Sequence, residues 1–380
     1  MLNVLCIYPA INKQTNDNAF TLIKLQDKGV RLAIITSKSL GLKGKGRLSS
    51  YEDMDGISVY RLFRNPIDIF VFSRRRLKRI LQICEQVKPD LIFCSQELNM
   101  RLALILKKYL RIPILLLVED AGRIFSGEFY SGFSMRPCLM RILGIPTGEK
   151  FWTWLERNSS AIITCHPRDQ RILGRLSQNG KLICYIPWPT HLPDTFQVRL
   201  SKKVNRAVYV GSLVPFKNTQ EFETTLPRII KETPTQEFIV VGPGPHSKII
   251  KRLQNETQGK VKYITQLPRT EALDLIGSSY YGYTPAKIGG WGFVGDCWSV
   301  KTPVVMTHND DYVADSVNAL VAEDEDALVK RINQLYERPD LYRKLQRKGY
   351  EESVKRRSDV ISDKLYDVFK RTISARSLGA

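Results

Sequence analysis

The chain has 380 residues, more than a single hydrophobic core usually organises, so two domains are expected. Apolar residues at 43% and charged residues at 25% exclude disorder, collagen-like repeats and coiled coil, and no apolar run reaches the roughly 18 to 20 residues that span a bilayer. Basic side chains exceed acidic ones unevenly: residues 1–200 carry 30 against 16 and residues 201–380 carry 28 against 22, which turns the first half toward something anionic.

Nucleic acid, an acidic membrane surface and a phosphorylated substrate all satisfy that charge, and composition does not choose among them. The seven cysteines form no CxxC pair and most sit in apolar runs, as buried free thiols of a reducing cytosol do. The four histidines show neither HExxH nor HxH spacing, so no metal is called for.

In chain order, the apolar stretch at 2–9 has no cationic leader and reads as a first strand. Short β-branched runs follow at 30–36, 57–62, 91–94, 113–118 and 161–164, with helical stretches between them. Continuous apolar strands alternating with helices predict a parallel sheet covered on both faces, a doubly wound α/β domain over 1–195. Within it, SRRRLKRILQICEQV places Leu77, Ile80, Leu81, Cys84 and Val87 on one helical face, with Arg74, Arg75, Arg76, Lys78 and Arg79 at its start. Such a helix either docks on anionic lipid or covers a sheet with its basic face in solvent, the latter being the commoner meaning of a charge run.

Pro187, Pro189, Pro193 and Lys202-Lys203 mark a linker. A second strand series then runs through 207–211, 237–242, 261–265, 280–284, 303–306 and 319–322, giving a second α/β domain over 200–354. The remainder is helical, and a last helix near 355–373 is expected to pack back on the first domain.

Three segments of the second domain carry chemistry. AVYVGSLVPFKN runs a strand into Gly211-Ser212, with Lys217 six residues past the glycine, an arrangement that suits an anion or ordinary turn chemistry. VVGPGPHSK puts Gly242 and Gly244 around Pro243 at a strand's carboxyl end, either a ligand contact or a rigid turn. KIGGWGFVGDCWSVKTPVV brings Gly289, Gly290, Gly292 and Gly295 into an expected helix at 296–300. Its unpaired amides would suit a diphosphate, the alternative being a tight loop with no ligand, and Asp296 would cap the helix or bind sugar hydroxyls.

The order of GSLVPFK, GPGP, YYGYTPAKIGGWGFVGD and TPVVMTHNDDYVADSVNALVAEDEDALVKRI resembles the donor domain of GT-B glycosyltransferases of the large retaining family that uses nucleotide sugars. The resemblance implies two Rossmann-like domains, a nucleoside diphosphate sugar donor, a glycan or lipid-linked acceptor, no metal or other cofactor, and retention at the anomeric carbon. Lys217 matches the lysine of the family's basic pair; the arginine falls on Ser212, with Lys287 or Lys301 as replacements. Of the family's two glutamates, the second aligns with Asp296, the ribose carboxylate, while the first falls on Gly289 or Gly290. Donor contacts are accordingly expected from Gly211, Ser212, Lys217, Gly242, Gly244, Thr284, Gly290, Gly292, Phe293, Val294, Gly295 and Asp296. In the first domain, Asn16, Asp17 and Asn18 stand where the family has a Gly-Gly loop, and Glu119 or Asp120 stands where it has a histidine. Either carboxylate would orient an acceptor hydroxyl or accept its proton, or else simply stabilise the loop at a strand end, and Arg123 opens the segment that follows, an acceptor loop or a plain connector. A cytoplasmic enzyme, peripheral at the inner face of a membrane, fits this reading. Its rivals are an inactive GT-B homologue and, on charge alone, a nucleic-acid-binding protein.

Overall fold

The computed structural model describes residues 1–11, 17–39, 48–69, 72–96, 99–118, 146, 149–177, 180–190, 192, 203–287 and 290–377. Asn16, Glu119, Asp120, Arg123 and Gly289 lie outside the described residues. The backbones of Asp17 and Asn18 open the helix Asp17–Gln26, and their side chains are outside too. The chain divides into two compact units, Met1–Pro189 with Ser358–Ala380, and Thr190–Arg357.

The first unit holds eight strands: β1 (Leu2–Ile7), β2 (Val30–Ser37), β3 (Tyr51–Met54), β4 (Ile57–Phe63), β5 (Leu91–Ser95), β6 (Ile114–Val118), β7 (Ala161–Thr164) and β8 (Leu182–Tyr185). They form one sheet in the order β3-β4-β2-β1-β5-β6-β7-β8, parallel except for the β3–β4 hairpin. Because side chains alternate across a strand, Leu5, Ile7, Ile92 and Cys94 enter one core while Val4, Cys6, Leu91 and Phe93 enter the other. Both faces being covered explains why β5, β6 and β7 are buried at every position.

The helix Arg74–Val87 contributes Ile80 and Cys84 to the first core, with Leu77, Leu81 and Val87 packed against it. Its basic side chains face solvent or, for Arg76, lie half-buried over Phe63 at 5.9 Å. It is thus an ordinary sheet-covering helix whose apolar face is spent on the core. The last helix, Ser358–Ser377, lays Ile361, Leu365, Val368 and Phe369 on the second face, with the Phe369 ring 5.4 Å from Phe93. Each such buried side chain contributes about 1.5–3 kcal/mol. None of the described helices is long and apolar enough to cross a membrane. None of the six described cysteines is in a disulfide.

The second unit holds β9 (Val204–Val210), β10 (Glu237–Val241), β11 (Val261–Ile264), β12 (Ser279–Thr284), β13 (Val304–Met306) and β14 (Leu320–Val321), all parallel, in the order β11-β10-β9-β12-β13-β14. Strand order reverses between β9 and β12. The loops leaving their carboxyl ends run in opposite directions there and open the crevice where doubly wound sheets take ligands.

Candidate functional site

The site is built from the loops at that switch point. After β9 the chain passes Gly211 and Ser212 into two short 3-10 turns, Pro215–Lys217 and Thr219–Glu221. Asn218 joins them in the left-handed region at φ 55°, a conformation that asparagine tolerates better than most residues. Neighbouring main chain holds this loop: the Gly211 amide donates to the Val241 carbonyl at 2.9 Å, and the Leu213 amide to the Pro243 carbonyl at 2.8 Å.

That contact accounts for two of the predicted glycines. Gly242 and Gly244 have φ of 143° and 153°, and a Cβ on them would stand 1.9 Å from the Gly211 oxygen and 2.1 Å from the Leu213 oxygen. Backbone packs directly on backbone, so their visible duty is to seat the Gly211–Leu213 segment, as the rigid-turn reading expects.

Lys217 is half-buried, and among the described residues no carboxylate lies within ion-pair distance of it. Burial alone pushes its ammonium below the ordinary lysine range. Beside it, residues that the sequence reading did not single out form a network. The Asn218 side-chain nitrogen lies 3.0 Å from His308 Nε2, and the Thr307 hydroxyl donates to Glu221 at 3.2 Å. Glu221 also accepts from Asn218 and lies 3.4 Å from His308. Burial raises the Glu221 pKa, but hydrogen bonds from His308, Asn218 and Thr307, with the His308 charge, carry it below the usual carboxylate range. The network ties the turn carrying Lys217 to the end of β13. His246, whose pKa burial lowers, meets the Thr219 hydroxyl at 2.8 Å and braces the same turn from the β10 side.

The second loop corrects the expected helix. It spans Trp291–Ser299, beginning five residues before Asp296, with Gly290 as N-cap and no side-chain cap. Asp296 therefore caps nothing. Gly292, Phe293 and Val294 lie in the first turn and Gly295 further in, and the Val294 amide already donates to Gly290 at 3.1 Å. The helical ladder thus begins at the Val294 amide, which leaves the first turn a narrower set of candidate anion contacts than the four-glycine run suggested. Gly292 is exposed and open around its Cα, whereas Gly295 is excluded from carrying a side chain by Thr190 Cγ2 at 2.8 Å and the Trp291 ring at 3.0 Å. Phe293 sets its ring 5.3 Å from that of Tyr209, tilted by 53°, and the Tyr209 hydroxyl donates to the Ser212 carbonyl at 3.2 Å, so this first turn and the β9 loop are mechanically joined. Thr284 is buried and accepts from the Ala286 amide at 3.2 Å, fixing the exit from β12.

Asp296 has another partner. Arg269 grips both carboxylate oxygens, at 2.7 and 3.0 Å; burial raises the acid's pKa against the pull of that guanidinium. As found, the carboxylate serves the contact between two helices. Lys301 is not the replacement for the missing arginine either, since it sits past the other end of the Trp291–Ser299 helix with its ammonium 4.7 Å from the Tyr350 ring.

No curated protein matches the sequence. A family model described as Glycosyl transferases group 1 matches residues 204–338. Among solved structures, sucrose-phosphate synthase from Thermosynechococcus elongatus is similar at 14% identity and a TM-score of 0.74, over 99% of this chain and 100% of that one. Anabaena HepE in complex with UDP-glucose is similar at 14% and 0.67, over 98% and 100%. A glycosyltransferase from Rickettsia africae is similar at 12% and 0.69, over 98% of each. The chain therefore has the GT-B fold, and its residues 204–338 are similar to the glycosyl transferases of group 1.

Proposed function

We propose that the second unit binds a nucleoside diphosphate sugar and that the chain transfers the sugar to a hydroxyl of an acceptor held by residues 1–195. The observation that carries this reading is Lys217: a half-buried ammonium with no carboxylate partner among the described residues, at the switch point of the sheet, joined through Ser212, Tyr209 and Phe293 to a helix start that no side chain caps. Holding a bare cation out of water is costly, and a diphosphate repays it. The first-turn amides of Gly292 and Phe293 and the positive end of the helix dipole add to the same anion site.

In this mechanism the developing charge on the leaving diphosphate is met by Lys217 and those amides, fixed before the reaction begins. No metal is needed for that task, the leaving phosphate takes the acceptor proton on the same face, and the anomeric configuration is retained. Asp296 is not part of the grip, because Arg269 already occupies both of its oxygens. UDP-glucose is the first donor to try, because HepE was solved with it. Thermal unfolding with UDP, GDP and ADP, followed by donor hydrolysis with the corresponding sugars, tests the reading. A rise in midpoint with at least one nucleotide and slow hydrolysis of its sugar support it. The Asp296–Arg269 pair favours a second reading, a homologue that binds without catalysis, and binding without any turnover is its signature.

A further inference from the structure

A cavity lies away from the switch-point loops. In the first unit a groove of about 960 Å³ opens between the helix Met100–Leu110, the helix Glu149–Asn158 and the last helix at Thr372 and Ala375. Pro113 and Ser160, which line it, immediately precede β6 and β7. It is therefore at the amino ends of parallel strands, the edge of the sheet opposite to the ligand-binding edge.

The groove's chemistry is of two kinds. Leu104, Ile105 and Trp154 are half-buried and leave an apolar floor. Lys107 and Lys108, in the last turn of their helix, and Arg111, in its left-handed cap at φ 54°, form a cationic rim. The helix dipole accounts for lysines in a last turn but not for the apolar floor beneath them. Among the described residues the lining contains no carboxylate. The neutral polar groups are committed: Asn158 donates to the Trp154 carbonyl at 2.8 Å, Ser160 accepts from the Ile114 amide at 3.1 Å, and Thr372 donates to the Val368 carbonyl at 2.7 Å. Nearby Lys181 is paired with Glu156 at 3.1 Å. Burial first, and the Lys181 charge second, lower the pKa of Lys107, so an anion brought to this rim relieves both effects.

We propose that this groove binds a single-chain anionic lipid, with the acyl chain on Leu104, Ile105 and Trp154 and the phosphate on Lys107, Lys108 and Arg111. Its volume is that of a small-ligand site, and its combination of apolar floor and cationic rim selects against both a bare phosphate and a neutral chain. The proposal stands independently of the donor site.

The test titrates the full-length protein with a lysophosphatidic acid carrying a brominated chain, below its critical micelle concentration, and follows tryptophan fluorescence. Saturable quenching is expected in the parent protein and is expected to vanish in Trp154→Phe. Glycerol 3-phosphate and lysophosphatidylcholine should bind at least about tenfold more weakly, as should lysophosphatidic acid to the double variant Lys108→Glu, Arg111→Glu, whose changed side chains are exposed. UDP binding by that variant should equal the parent's. Undiminished quenching in Trp154→Phe, equal affinity for the zwitterionic lipid or for glycerol 3-phosphate, or no saturable binding would each overturn the proposal.

Discussion

Replacing Lys217 by methionine keeps the length of the side chain and removes its charge. A hydrogen bond to a charged group is worth about 1.5–3 kcal/mol, and each 1.4 kcal/mol is tenfold in affinity, so UDP should bind roughly 10- to 150-fold more weakly. The free protein should respond in the opposite direction. Burial strips part of the water from the Lys217 ammonium, and no carboxylate among the described residues compensates, so the apolar replacement should leave the unliganded fold as stable as before or slightly more so. Isothermal titration with UDP and denaturant unfolding of the free protein measure the two halves separately. Affinity within about threefold of the parent, below 0.7 kcal/mol, would refute the argument that this cation meets the diphosphate. A large loss of stability would refute the claim that it lacks a partner in the free protein.

Three further outcomes are expected. Gly242→Ala should destabilise the second unit by on the order of 3 kcal/mol in denaturant unfolding, because its Cβ would stand 1.9 Å from backbone oxygen at a φ of 143°. Asp296→Asn, by leaving Arg269 half-partnered, should cost about 2 kcal/mol of stability yet weaken UDP far less than Lys217→Met does; a comparable affinity loss would restore the ribose role to Asp296. Lys203, whose ammonium donates to the Thr302 hydroxyl at 2.8 Å, is pushed by burial down to about 8. Between that pH and about 10.5 the unfolded chain binds the extra proton, so the contribution of Lys203 to stability should rise with pH there, and Lys203→Met should make the rise measured in pH-dependent unfolding shallower; an unchanged slope would refute it.

Much of this architecture was legible because its strands are buried on both faces: all twelve expected strands are present, and their apolar runs admit few other readings. The β3–β4 hairpin was legible and missed. Asp55-Gly56, with φ of 50° and 84°, is a two-residue turn of the kind that Asp-Gly signals between alternating apolar residues. Edge strand β8 is half-buried at each position and gave no periodic signal. The early start of the Trp291–Ser299 helix was hidden by its glycines, poor helix formers that are tolerated here for packing, with Gly295 making room for Thr190 and Trp291. The Glu221–His308 and Arg269–Asp296 pairings join residues 87 and 27 positions apart, and no local pattern announces such contacts. The one available hint was positional, since His308 follows the carboxyl end of a strand, where ligands of these sheets gather.

The measurement closest to the central claim is amide hydrogen exchange of the whole chain with and without saturating UDP. Slower exchange is predicted over residues 211–218 and 290–294, where the cation and the uncapped amides lie, with the groove helix Met100–Leu110 unchanged. Protection that falls elsewhere, or that leaves both loops as labile as in the free protein, would contradict the account.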